Sequence, residues 1–93
     1  MDFKLAEACV SVDSYQLLYT KRVKIDMKKA VAALNKIGEV LGETKVVLLA
    51  KVASAGISAY EDGRVLVKNV DKAEAERIGR QVTDALEAEG AFI

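Results

Sequence analysis

The chain has no histidine, no proline and no tryptophan, and a single cysteine, Cys9. Without histidine, the usual zinc sites and the Ser-His-Asp and Cys-His devices are closed to it. One cysteine cannot make an intrachain disulfide, which fits a reducing compartment. The lack of proline excludes collagen-like repeats and proline-rich linkers. Charge of either sign is not in surplus: 14 basic residues meet 14 acidic ones, so no general electrostatic grip on nucleic acid is indicated. No apolar run exceeds five residues, Val46-Val47-Leu48-Leu49-Ala50 being one of them, where a membrane span needs about 20. Asp2 and Glu7 interrupt the start of the chain, so it does not read as a secretory signal, and a cytoplasmic protein is expected. No GxGxxG, P-loop or metal-ligand spacing occurs, and Gly42 and Gly56 are isolated. No cofactor and no metal are expected.

What the chain does have is 52% hydrophobic and 30% charged residues over 93 positions, which specifies one folded domain spanning residues 1–93. Two stretches read as helices. Residues 27–41 place Met27, Val31, Leu34, Ile37, Val40 and Leu41 three or four apart, with Asp26 as N-cap and Gly42 as the terminating glycine. Residues 72–89 carry the stripe Ala75, Ile78, Val82, Ala85 and Leu86. Asp71 and Glu74 stand in capping-box relation, and Gly90 closes the far end. Gly79, beside that stripe, suits a helix that must approach a sheet closely.

The rest reads as strands. Residues 6–12 alternate, with Ala6, Ala8, Val10 and Val12 as the core side and Cys9 opposite. Residues 15–25 are a second candidate, whose first half also admits a helical turn. Residues 46–52 are apolar on both faces, as in a covered central strand. Residues 57–60 and 64–70 flank Glu61-Asp62-Gly63, a hairpin with Gly63 at positive φ. The order of elements predicts an α+β domain of two layers: an antiparallel sheet of four or five strands with two helices on one face. If Val65 and Val67 meet the helices, Arg64, Leu66 and Lys68 occupy the other side with Ser58 and Tyr60, and Val47, Leu49 and Lys51 join them if their strand keeps phase. The phrases Val23-Lys24-Ile25-Asp26 and Val67-Lys68-Asn69-Val70-Asp71 each precede a helix, but two matches this short do not establish a repeat.

No catalytic constellation gathers. A reactive Cys9 would need a nearby cation, and only Lys4 is close in sequence. Glu61 and Asp62 are adjacent carboxylates, but Asp-Gly is turn chemistry. Asp84, Glu87 and Glu89 read as a solvated helix end. The loudest charge signal is Lys21, Arg22, Lys24, Lys28 and Lys29, with Asp26 the one acid among them and Tyr15 and Tyr19 just before. It reads first as a charged edge strand, and otherwise as a phosphate or nucleic-acid surface or as a contact for a protein partner. The apolar end, Ala91-Phe92-Ile93, either frays, tucks under the domain or lies across a second copy.

Two resemblances attach to these residues. Val46-Val47-Leu48-Leu49-Ala50-Lys51-Val52, followed by Ile57-Ser58-Ala59-Tyr60-Glu61-Asp62-Gly63-Arg64-Val65-Leu66-Val67 and a helix, resembles half of a TATA-box-binding protein. Tyr60 matches the family's aromatic and Gly63-Arg64 its Gly-Lys turn. The resemblance covers residues 46–86 and implies a curved antiparallel sheet with helices on the convex side. Tyr60 replaces a better wedge, Glu61 and Asp62 set negative charge beside it, and with one repeat a saddle takes two copies. Asp62-Gly63-Arg64-Val65-Leu66-Val67-Lys68 before a helix is also similar to the tail region of sulfur-carrier-activating adenylyltransferases, which implies an accessory role in sulfur or cofactor biosynthesis.

The expectation is a non-enzymatic interaction module, self-associating as a dimer through its open sheet face or its tail, with Tyr60, Arg64, Leu66, Lys68, Leu49 and Phe92 as partner-binding residues. The alternative is nucleic-acid binding through Lys21, Arg22, Lys24, Lys28 and Lys29.

Overall fold

The computed structural model describes residues 1–9 and 13–93. Eight elements follow in the order β1 (Phe3–Cys9), β2 (Ser14–Tyr19), α1 (Met27–Ile37), β3 (Glu39–Glu43), β4 (Val47–Val52), β5 (Ala55–Tyr60), β6 (Val65–Lys68) and α2 (Lys72–Ala88). All pairings are antiparallel, and the sheet runs β1-β2-β6-β5-β4-β3.

Ladder partners in an antiparallel sheet share a face, so the register sorts the side chains. Leu48 faces Ala59, Ala50 faces Ile57, and Val67 faces both Ile57 and Tyr15. These belong to the side covered by both helices, where Leu48, Ile57, Val65, Val67, Leu34 and Ile78 are fully or almost fully buried. Helix α2 lies on β6, β2 and β1, α1 lies on β3 and β4, and the helices touch each other. The opposite face of the sheet carries no element among the described residues. The architecture is α+β with an open antiparallel sheet.

The helix signals act locally. Asp26 accepts from the Lys29 amide at 3.2 Å, and Asp71 from the Glu74 amide at 2.9 Å. Each satisfies one of the amide donors that a helix leaves free at its start. Gly79 is where α2 comes down on β1 and β2: a Cβ there would sit 2.8 Å from Leu17 Cδ2 and 3.2 Å from Phe3 Cζ. Gly63 turns the β5–β6 hairpin at φ 101°, and Gly90 ends α2 at φ 68°.

Several expectations need correction. The sheet has six strands, because residues 39–43 form β3 rather than the last turn of α1. The helix stops at Ile37 and its cap is Gly38, whose amide donates to the Leu34 carbonyl, while Gly42 lies inside β3. β4 is not covered on both sides: it is next to the edge strand, and Leu49 is 47% exposed. The phase of β1 is reversed, since Phe3 and Leu5 pair with Tyr19 and Leu17 on the helix side while Ala6 pairs with Gln16 on the open side. Bulk decides here: a phenylalanine and a leucine gain more from burial than an alanine. Val10, Ser11 and Val12 of that expected strand lie outside the described residues, as does the side chain of Cys9. The strand expected over residues 15–25 ends at Tyr19 and shows no helical turn at its start.

The tail tucks under its own domain. Phe92 bridges Ile25, the Ile93 and Lys24 backbones exchange two hydrogen bonds at 2.8 and 3.1 Å, and the Asp26 amide donates to the Ala91 carbonyl at 2.7 Å. The Phe92 ring meets Tyr19 edge-on at 5.1 Å.

Candidate functional site

The open face of the sheet is ordered by its register into rows that run across the strands. One row begins with the pair Lys4 and Leu18, and Tyr60 and Val47 pair at its other end. The middle row is Ala6, Gln16, Leu66, Ser58, Leu49 and Gly42. The third is Ser14, Lys68, Gly56, Lys51 and Glu39. Leu49 and Leu66 flank Ser58, which is only 2% exposed although no element covers it. Leu18 is 45% exposed. An apolar centre therefore lies open, with lysines at its margins.

Arg64 joins this face by stacking its guanidinium on the Tyr60 ring, 4.4 Å from the centroid. Asp62 holds it from the turn, accepting from Arg64 Nε at 2.9 Å and from its amide at 3.1 Å. This pair is exposed, so its contribution to stability is small and its effect is to fix direction. Lys4, Lys51 and Lys68 enter no ion pair among the described residues.

Of the residues expected to bind a partner, the fold brings Tyr60, Arg64, Leu66, Lys68 and Leu49 onto this one face. Phe92 is not among them, being packed on Tyr19 on the helix side. The five basic residues at 21–29 are all exposed, but they are split: Lys21, Arg22 and Lys24 lie on the connection from β2 to α1, and Lys28 and Lys29 in the first turn of α1. The edge-strand reading of this run is overturned, since the edges of the sheet are β1 and β3. Lys21 and Arg22 line a shallow groove with Arg64, Asp62, Gln16 and Leu18, at the rim of the open face.

The acidic candidates have structural work. At Glu61 it is the backbone carbonyl that is engaged, accepting from the Ile25 amide at 3.0 Å, while the Asp62 carboxylate pairs with Arg64. Glu87 binds the N-terminal ammonium of Met1, and Glu89 pairs with Lys36 of α1 at 2.8 Å. Among the described residues no group of three or more Cys, Asp or Glu gathers around a common point that could hold a metal ion, and no helix is long and apolar enough to cross a membrane. The one strongly shifted phenol, Tyr19, is pushed up to about 12 by burial and bonds Thr83 at 3.0 Å, in the core. A second concavity, an open cleft of about 730 Å³ beside the start of α1, sets Lys24, Lys28 and Lys45 against Asp26, Glu43 and Glu61. Its three basic and three acidic side chains balance.

Reading from sequence missed Lys4, Leu18 and Gly56 as members of the open face. The signal lies in pairings between strands, which no single stretch of sequence displays. No protein-family model, no curated protein and no solved structure matches this chain.

Proposed function

We propose that this protein is a small non-catalytic binding module that works through the open face of its sheet, and that its partner is a nucleic-acid strand. The observation that carries this is the charge on that face. The chain as a whole is balanced, 14 against 14. The open face carries Lys4, Lys51, Lys68 and Arg64 against Glu39, with Asp62 at the rim paired to Arg64. Around an exposed apolar centre and the Arg64-stacked Tyr60, this surplus suits a polyanion whose bases supply flat apolar surface.

Self-association through this face is the competing reading, favoured by the exposure of Leu18 and Leu49. Charge opposes it. Two sheets packed face to face lie about 10 Å apart. A cation facing a cation at that distance costs about 0.4 kcal/mol in water and about 1.7 at an effective dielectric near 20. With four cations against Glu39 and Asp62, each face has a surplus of two, which makes this a repulsion of about 1–3 kcal/mol, where a phosphate backbone turns the same terms favourable.

Fluorescence anisotropy with labelled single- and double-stranded oligonucleotides at about 50 mM salt tests the proposal. Binding is expected to weaken as salt rises, with a log–log slope near −3 for about four phosphates on a single strand. Leu49→Glu, at an exposed position, is expected to weaken it about tenfold. Absence of binding at that salt, or binding indifferent to salt, refutes the proposal. A dimer by light scattering that Leu49→Glu dissociates would put self-association in its place.

A further inference from the structure

Gly56 is a glycine that the fold does not require. It lies inside β5, and its φ is not positive. A Cβ built there would meet nothing nearer than Asn69 Nδ2 at 3.8 Å and Lys68 Cβ at 3.9 Å. At Gly38, Gly63 and Gly79 the same atom would lie 2.2, 2.1 and 2.8 Å from a neighbour. A glycine in a strand weakens it and commonly marks a place where a ligand or another backbone comes close to the sheet.

The surroundings say what would come close. Gly56 is the ladder partner of Lys51 on one side and of Lys68 on the other. Strands are about 4.8 Å apart, so the two lysines stand about 10 Å apart with a gap in the side-chain layer between them. Their flexible stems are long enough to bring both ammonium groups over the gap. Asn69, held at φ 66°, brings its carboxamide nitrogen to the same spot. Three donors, two of them cationic, thus lie within reach of one bare position. Acids near it in the fold are Glu39, the ladder partner of Lys51, Asp13, whose carbonyl accepts from the Asn69 amide at 2.7 Å, and Asp71, the cap of α2 two residues after Asn69. Neither Lys51 nor Lys68 forms an ion pair among the described residues.

We infer that Lys51, Lys68 and Asn69 form a seat for a phosphate group over Gly56. A phosphate offers several acceptor oxygens in different directions, matching donors that arrive from both sides and one end, and lysine meets it as a point charge without needing the planar fork of arginine. The seat rests on the reading of the open face as the binding surface, and it names the chemical group that the face recognises.

The test is an NMR titration of the amide spectrum with inorganic phosphate, against sodium chloride of equal ionic strength, and in parallel with a single-stranded oligonucleotide. Gly56→Leu fills the gap at a position with room for a side chain, and Lys51→Gln removes one cation from an exposed site without touching the core. Saturable shifts of the Gly56 and Asn69 amides with either ligand, weakened about tenfold in both variants, support the seat. Response to the phosphate ion assigns it to free or terminal phosphate, and response to the oligonucleotide alone assigns it to the diester backbone. Shifts no larger than those from chloride overturn it, as does binding that survives both variants. Oligonucleotide binding that survives both variants overturns the seat while leaving the open-face proposal standing.

Discussion

Two glycines four residues apart are expected to respond in opposite directions to the same change. Gly38 caps α1 and passes directly over β4: a Cβ there would lie 2.2 Å from the Lys51 carbonyl oxygen, 3.1 Å from its carbon and 3.0 Å from Val52 Cγ2. The nearest atom is backbone in a hydrogen-bonded strand, so no rotamer relieves the contact. The end of α1 must shift by about 1 Å, and forcing extra bulk into packed structure costs about 1–3 kcal/mol, here at the upper end because backbone must move. Replacing a glycine also restricts the unfolded chain, which returns about 0.4–1 kcal/mol. Gly38→Ala should therefore lose about 2 kcal/mol. At Gly42 nothing lies within 4 Å of the added carbon, and only the favourable term remains, so Gly42→Ala should gain about 0.5 kcal/mol. Urea unfolding followed by circular dichroism measures both, read as midpoint shifts at constant slope. For a domain of this size the melting temperatures should part by about 10–20 °C. If Gly42→Ala is the more damaging change, the helix runs on through Leu41 and the six-stranded sheet is wrong.

Two further outcomes follow from the core. Tyr19 ionises near 10 in an unfolded chain and is pushed up to about 12 by burial in the fold, so between those values the unfolded state sheds a proton that the folded state keeps. Stability fully present below pH 10 should then fall by about 2–3 kcal/mol as pH rises to 12. Tyr19→Phe should remove that alkaline loss, at the cost of about 1–3 kcal/mol at neutral pH for leaving the fully buried Thr83 hydroxyl unpaired. Urea midpoints across this pH range give both numbers. Phe92→Ala should cost about 2 kcal/mol, because it removes the ring that packs on Tyr19 next to the Ile25 bridge, and should leave oligonucleotide anisotropy unchanged.

What was legible in the sequence was what is decided locally. Helix α2 could be read end to end because its cap, its stripe and its terminating glycine all act within a few residues of one another. The same holds for Asp26 and for the Gly63 turn. The end of α1 was not legible for a definite reason. Val40 and Leu41 continue the helical spacing, yet Val40 is half-buried as a strand residue opposite Ala50. Periodicity cannot distinguish these roles over one turn. What distinguishes them is the Lys51 carbonyl pressing on Gly38, an atom that arrives from a strand not yet reached in the chain.

The candidate site divides in the same way. Alternation along β6 and β5 was enough to put Arg64, Leu66, Lys68 and Tyr60 on one side. The row Lys51, Gly56, Lys68 was invisible, since it exists only when three strands are laid in register. The run at 21–29 drew attention because its charges are consecutive, but consecutive residues on a connection and a helix start point in several directions. Charges spread over positions 4, 51, 64 and 68 look unremarkable along the chain and converge once the sheet forms. A neutral protein can thus carry a basic surface, provided its acids are placed elsewhere: Glu74 pairs with Arg77 along α2, Glu87 takes the N-terminus and Glu89 takes Lys36. Net charge excludes a general attraction to polyanions. It does not exclude a face built for one, and the salt dependence of oligonucleotide binding separates the two, because a face of four cations fixes the slope whatever the total charge of the chain.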